Sequence, residues 1–293
     1  MTVSVVIPSY NGGRFIGQAI LSVLQQYRRP DEILVCDDNS TDNTLEVCAR
    51  YKDHLSICIN PDGPSGFVNA WNRAIARTKG EYISILHQDD LLDPKFIQRG
   101  MAALERDPGV RHLFSTCRYI DDKGRTISLS YSPDRMDAGE VRLTGPEYLR
   151  SYQRQGQPHI HRCPGVITHR SIFEQCSYEP SAGHIADDDF FYRVGMFTDV
   201  IGILTPLAAF RVHDWSVTGS MCDSRLVSQL ADDYLYQCRQ WKGHPFLDEV
   251  SYGYFVKNAH LFIRRLIGYG LRQKKIGMVL QGIRKWSALK RLT

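Results

Sequence analysis

Three groups of adjacent acids stand out in this chain of 293 residues: Asp37-Asp38, Asp89-Asp90 and Asp187-Asp188-Asp189. Clustered carboxylates repel one another, so they persist only where a cation or hydrogen-bond donors compensate them. A hard dication with oxygen ligands, Mg2+ or Mn2+, suits such clusters. A single well-placed carboxylate can instead remove a proton from a hydroxyl as its oxygen attacks, or accept the N–H groups of a nucleobase edge. The chain has neither GxGxxG nor GxxxxGK[ST]. A diphosphate would therefore be held by metal on carboxylates rather than by a glycine cradle. Two histidine-bearing segments add to the inventory. His213-Asp214 follows an apolar run, and His159-Ile160-His161-Arg162-Cys163 alternates, so that His159, His161 and Cys163 share one face if extended. No fourth ligand stands at zinc spacing from these, which argues against a zinc site.

A repeating pattern of elements positions the acids. Residues 3–7 are a continuous β-branched run, the mark of a strand buried on both faces. Asn11-Gly12-Gly13 stops it, and Phe15, Ile16, Ala19, Ile20, Val23 and Leu24 then recur at helical spacing. Further strands are predicted at 32–36, 55–59 and 82–86, and further helices at 43–51, 65–78 and 93–104. Asn43 with Glu46 has the form of a capping box, Gly80 closes the 65–78 helix, and Asp93 caps the next one. This order predicts an α/β fold with a mostly parallel sheet and helices on both faces. Ligands of such sheets bind outside the carboxyl ends of the strands. There the first strand delivers Pro8-Ser9-Tyr10-Asn11, the second Asp37-Asp38, and the fourth His87-Gln88-Asp89-Asp90. Residues 112–129 read as a hairpin turning at 121–124, and 201–210 as another strand. Asp187 to Asp189 open an amphipathic helix, where the helix dipole favours acids, although three exceed what capping requires. From about residue 223 the pattern is helical to the end.

Composition narrows the class. With 43% apolar and 23% charged residues the chain is an ordinary globular one. No apolar run approaches the ~20 residues of a membrane helix, and the strand-like start gives no sign of a signal peptide, so a cytoplasmic setting is expected. Eight scattered Cys without a CxxC pair read as reduced core thiols. The net charge of +4 hides an asymmetry: after Glu249 there are ten bases and no acid, whereas the residues before carry 26 bases against 32 acids. Within that basic end, Ile276, Val279, Leu280, Ile283 and Trp286 fall within about 120° of a helical wheel. Two readings stand open: a helix lying on an anionic membrane with Trp286 at the interface, or one packing its apolar face on the rest of the chain. Aromatics are sparse there and no recognition motif occurs, so no nucleic-acid partner is expected.

Taken together, VSVVIPSYN, EILVCDDNSTD and ARTKGEYISILHQDDLLDP, followed by IADDDFFYRV and FRVHDWSVTGS, resemble the inverting family 2 glycosyltransferases of the GT-A fold over about residues 3–220. The resemblance implies a nucleotide-sugar half at 1–110, an acceptor half at 111–220 and a helical, basic region at 221–293. It implies a nucleoside-diphosphate-sugar donor, of UDP, dTDP or GDP type, and a saccharide or lipid-linked acceptor in surface polysaccharide synthesis at the inner face of the plasma membrane. Carried over, Pro8, Tyr10, Asn11, Asp38 and Asp89 bind the nucleotide, with Asp38 on the base edge. Asp89, Asp90 and His213 hold Mg2+ or Mn2+. Asp187 is the general base, with Asp188 as its alternate, and His87, His161 and Arg162 are substrate residues. His87 stands where the family often has Asp. The rival readings are a nucleotidyltransferase, which would release pyrophosphate, and a non-catalytic nucleotide-sugar-binding scaffold.

Overall fold

The computed structural model describes residues 1–129, 139–152, 163–213 and 224–293. Its first strand, β1 (Val3–Ser9), is buried along its whole length, as its β-branched run requires. Then follow α1 (Ile16–Leu24), β2 (Glu32–Asp37), α2 (Thr44–Ala49), β3 (Ser56–Ile59), α3 (Phe67–Arg77) and β4 (Tyr82–Ile85). β1 pairs in parallel with β2 and β4, and β2 with β3, in the order β3-β2-β1-β4. The register sets Ser9 beside Asp37 and Val6 beside Ile85, so the three acid- or turn-bearing strand ends open on one rim.

The sheet continues through β5 (Leu91–Leu92), α4 (Phe96–Arg106), β6 (His112–Ile120), β7 (Thr126–Leu129), β8 (Glu140–Leu143), α5 (Gly145–Tyr152), β9 (Val166–His169), α6 (Arg170–Gln175), a 3-10 turn (Pro180–Ile185), α7 (Ala186–Val194) and β10 (Val200–Arg211). β9 enters antiparallel between β4 and β6, and β10 runs parallel to β6. The strands form one sheet, parallel in its first half and mixed beyond. β6 and β7 form the expected hairpin.

Alternate residues of β1 face opposite cores, as strand geometry dictates. Val3, Val5 and Ile7 pack with α1 and α4. Val6 belongs to a second core that joins Phe190 and Phe191 of α7 to Leu226, Phe255, Ile263 and Leu289. Those last four come from α8 (Ser224–Trp241), α9 (Glu249–Arg272) and α10 (Ile276–Lys290), so the helical C-terminal region shares a core with the sheet. α10 divides its apolar arc: Val279 and Trp286 are half-buried toward α9, whereas Ile276, Leu280 and Ile283 are exposed. Among the described residues no helix is long and apolar enough to cross a membrane.

Three local expectations change. Asn43 makes no side-chain cap at α2; Asp42 accepts the Thr44 N–H and hydroxyl instead, and Glu46 pairs with Arg50 at 3.0 Å. Asp93 accepts from Lys95 N–H one turn ahead of α4, whose cap is Lys95. Gly80 lies beyond the end of α3; its N–H donates to Ser4 Oγ at 2.8 Å, and a side chain there would press on the Ser4 backbone. All seven described cysteines are free thiols, six of them buried.

Candidate active site

The loops after β1 and β2 are laced together. Asn11, at φ 49° in the left-handed region that Asn tolerates, gives its N–H to Ser40 Oγ and takes the Thr41 N–H, each at 2.8 Å. Asp37 is buried and accepts the Ser40 N–H and hydroxyl. Pro8 is buried within β1, while Tyr10 is exposed at the rim. A third loop joins through Gln88, whose Oε1 accepts the Ser9 hydroxyl and the Tyr10 N–H and whose Nε2 donates to Tyr10 O. A side chain at Gly12 would collide with that amide.

Asp38, at the end of β2, is 3% exposed. It accepts from Asn60 Nδ2 at 2.6 Å, Ser65 N–H at 2.7 Å, the Ser65 hydroxyl at 3.0 Å and an Arg73 guanidinium at 2.9 Å. Burial pushes its carboxyl up, but those donors outweigh it and the net shift is downward. A carboxylate offers about four acceptor positions, so a base N–H reaches Asp38 only in exchange for one of these donors. Ser65, Asn60 and Arg73 lie outside the sequence-derived set; no local pattern ties them to Asp38 across 22 to 35 positions.

Beyond β4 the arrangement differs. His213, following β10, sets Nε2 at 3.0 Å from Asp89 Oδ2. Burial pushes Asp89 up, yet the His213 hydrogen bond and the charges of His87 and His213 bring it below the ordinary carboxylate range. Asp90 is 1% exposed. Its Oδ1 accepts the Arg211 N–H at 2.8 Å, whereas Oδ2 has no hydrogen bond and lies 3.7 Å from His87 Nδ1. Burial and the neighbouring Asp89 charge push Asp90 well above its usual value. His87 stacks on Trp71 at 4.9 Å and is shifted down by burial. Trp71, on α3, was not among the sequence-derived residues; a lone Trp on an amphipathic helix reads as core.

Arg211 was missed as well, although an arginine ending an apolar strand is a visible anomaly. It is fully buried. Its guanidinium donates to the carbonyls of Asp89, Asp121 and Asp122 and to Gln18 Oε1, over the Phe15 ring at 4.6 Å. A buried guanidinium persists only with partners of this kind.

The three acids of α7 diverge. Asp189 pairs with Arg193 at 2.9 Å, and Asp188 acts on Tyr148 and Tyr192. Asp187 Oδ1 accepts the Asp188 N–H at 2.9 Å. Burial raises the Cys163 thiol well above its ordinary value, and the charges of Asp187, Asp90 and Asp89 add to it. His161, Arg162, His159 and Asp214 lie outside the described residues.

Asp90 Oδ2 is buried without a donor next to the Asp89–His213 pair, a position that positive charge would compensate. Among the described residues no three His, Cys, Asp or Glu side chains stand close enough to enclose an ion.

Residues 4–177 match the family described as Glycosyl transferase family 2. Chondroitin synthase of Escherichia coli is 32% identical over 131 residues, 44% of this chain and 19% of that protein. The chain thus spans under a fifth of that relative's length. UDP-Glc:alpha-D-GlcNAc-diphosphoundecaprenol beta-1,3-glucosyltransferase WfaP of Escherichia coli is 39% identical over 140 residues, 47% of this chain and 55% of that protein. In fold, the chain is similar to the mannosyltransferase PcManGT of Pyrobaculum calidifontis, solved with GDP-Man and Mn2+. The TM-score is 0.60 at 17% identity, covering 99% of this chain and 84% of that one.

Proposed function

The chain belongs to glycosyl transferase family 2, and from that premise we propose that it is a metal-dependent, inverting transferase that moves a sugar from a nucleoside-diphosphate donor to a hydroxyl of a glycan or lipid-linked acceptor. One observation supports this above the others: His213, delivered by β10, closes on Asp89 at 3.0 Å beside Asp90, whose buried Oδ2 has no donor. Residues 1–220 are read as the catalytic unit, its nucleotide-sugar half ending near residue 110, and 221–293 as its helical extension.

In this reading Asp187 accepts the proton of the acceptor hydroxyl as that oxygen bonds to the anomeric carbon from the side opposite the diphosphate. Its bond to the diphosphate oxygen breaks in the same step, which inverts the configuration. Tyr10 and Asn11 line the nucleoside side with Pro8 behind them, and Asp38 holds the 60–66 loop against it, exchanging a donor for the base edge. Mg2+ or Mn2+ at Asp89, Asp90 and His213 would supply positive charge to the departing diphosphate. His87 borders this end of the site, with its ring fixed on Trp71. His161 and Arg162 keep their assignment as substrate residues.

The WfaP relative is described as acting on a diphosphoundecaprenol-linked sugar, which favours a lipid-linked acceptor and surface polysaccharide synthesis at the inner face of the plasma membrane. The test is a thermal-shift panel of UDP, dTDP, GDP, CDP and ADP with and without Mn2+, followed by product analysis with a lipid-linked acceptor. One diphosphate stabilising only with metal, by about 2.7 kcal/mol at 100 times its dissociation constant, and release of that nucleoside diphosphate is the expected result. Release of pyrophosphate would indicate nucleotidyl transfer. Donor binding without turnover on any acceptor would indicate a scaffold.

A further inference from the structure

The transfer reaction leaves one charged surface unused. α9 and α10 lie side by side, close enough that a side chain at Gly270 would meet Val279 at 2.7 Å, and the His260 and Trp286 rings meet edge-on across their seam at 4.8 Å. α8 covers one side of this pair. Lys285 turns to that side and pairs with Asp232 of α8. The other nine bases after Glu249 are all exposed, and none has a carboxylate partner among the described residues.

The side opposite α8 mixes these bases with aliphatics. On α9, Lys257, Leu261, Arg264 and Gly268 recur at helical spacing along a shallow groove of about 480 Å³ that runs to Arg272. On α10, Ile276, Leu280 and Ile283 form the exposed half of the apolar arc, with Ile276 75% exposed. Leu271, near the turn between the helices, is 64% exposed. The surface is thus single-signed and apolar at once. Salt could neutralise its charge, but would leave the aliphatics in water. A nucleic acid meets the same objection, since the one tryptophan of the face is half-buried against His260. A bilayer answers both features: its phosphate plane takes the bases, and the boundary below it takes the aliphatics.

We infer that the outer face of the α9–α10 pair docks the enzyme on an anionic lipid bilayer. The inference deepens the membrane setting of the proposed transferase and rests on that reading only for why a membrane would be visited. Charge complementarity carries it: nine exposed bases with no carboxylate partner among the described residues, no acid after Glu249, and an aliphatic strip between them.

The test is co-sedimentation of the full chain with vesicles of phosphatidylcholine alone or with one third phosphatidylglycerol, at low and high salt, with UDP–Mn2+ binding measured on the same samples. Binding to the anionic vesicles alone, weakened by salt, is expected. Lys257→Gln with Arg264→Gln should weaken the partition about 25-fold, roughly fivefold per base near an anionic surface. Ile276→Ser with Ile283→Ser should weaken it too, because a bilayer takes up the aliphatics. Lys52→Gln with Lys95→Gln, equal in charge but far from the face, should change nothing. No vesicle binding, equal binding to neutral vesicles, or unchanged binding by the isoleucine variant each overturns the inference. So does binding to duplex DNA or an acidic peptide in place of vesicles. Loss of vesicle binding with nucleotide binding intact counts against this inference alone. The reverse counts against the transferase reading alone.

Discussion

At the end of β2, Asp38 receives hydrogen bonds from Asn60, Ser65 and Arg73 and is held below the usual carboxylate range. At the end of β4, on the other side of β1, Asp90 is equally buried but has one oxygen without a hydrogen bond and is pushed well above that range. The two acids share a residue type, a rim and a depth. They differ in what the protein supplies. Around Asp38 the chain itself provides the compensating charge, so that pocket is complete before any ligand arrives. Around Asp90 the nearest donor is one backbone N–H, and Asp89 adds a second negative charge. Burial alone therefore does not fix the state of a carboxylate; the count of donors aimed at it does. One end of the rim holds its shape, and the other is set up to receive positive charge.

The sharpest way to break this contrast lies next to the incomplete end. Asp187→Asn should lower transfer by about 10²- to 10⁴-fold while leaving metal-dependent nucleotide stabilisation unchanged. Turnover at the level of the unaltered enzyme would remove Asp187 from the base role and point to Asp188. Asp90→Asn tests the vacancy of charge directly. The amide oxygen can still accept the Arg211 N–H, so melting in the presence of chelator should be unchanged or slightly higher. The stabilisation by nucleotide with Mn2+, about 2.7 kcal/mol at 100 times the dissociation constant, should largely vanish. A large loss of stability in chelator would mean that Asp90 is as well compensated as Asp38.

The complete end should respond through folding. Asp38→Asn keeps one acceptor oxygen but turns an NH2 toward the donors on the other and removes the charge facing Arg73, and should cost about 2 kcal/mol near neutral pH. Because the folded Asp38 carboxyl is lowered, its contribution is present above the unfolded value and is lost as pH falls through the folded one. The gap between the two proteins in denaturant melts should therefore close under acid. A gap that stays constant across that range would show that shape, and not charge, holds the pocket.

The sequence carried the parallel half of the sheet well, because a run such as Val3–Ser9 has no other comfortable conformation and its carboxyl end has a fixed meaning in α/β folds. It carried the approach of His213 to the rim through the apolar strand that delivers it. β9 was not legible: a run of four residues gives too short a pattern to separate from loop. Nor was the saturation of Asp38, since its donors come from a loop and a helix whose nearness only the fold creates. Arg211 had a signal, a charge at the end of an apolar run, that the reading passed over. The apolar arc of α10 was visible, but a helical wheel cannot say which half another helix will cover; the fold covers Val279 and Trp286 and leaves the rest.

The Gln88 side chain has a consequence for energetics. Its amide spans from the loop after β1 to the residue directly before Asp89, with three hydrogen bonds to Ser9 and Tyr10. In the proposed transferase, movement of Tyr10 against a base would reach the loop of Asp89 through this amide. Sites joined in this way exchange free energy reciprocally: whatever factor the cation adds to nucleotide affinity, the nucleotide must add to cation affinity. A single amide ties the loop after β1 to the loop that carries Asp89.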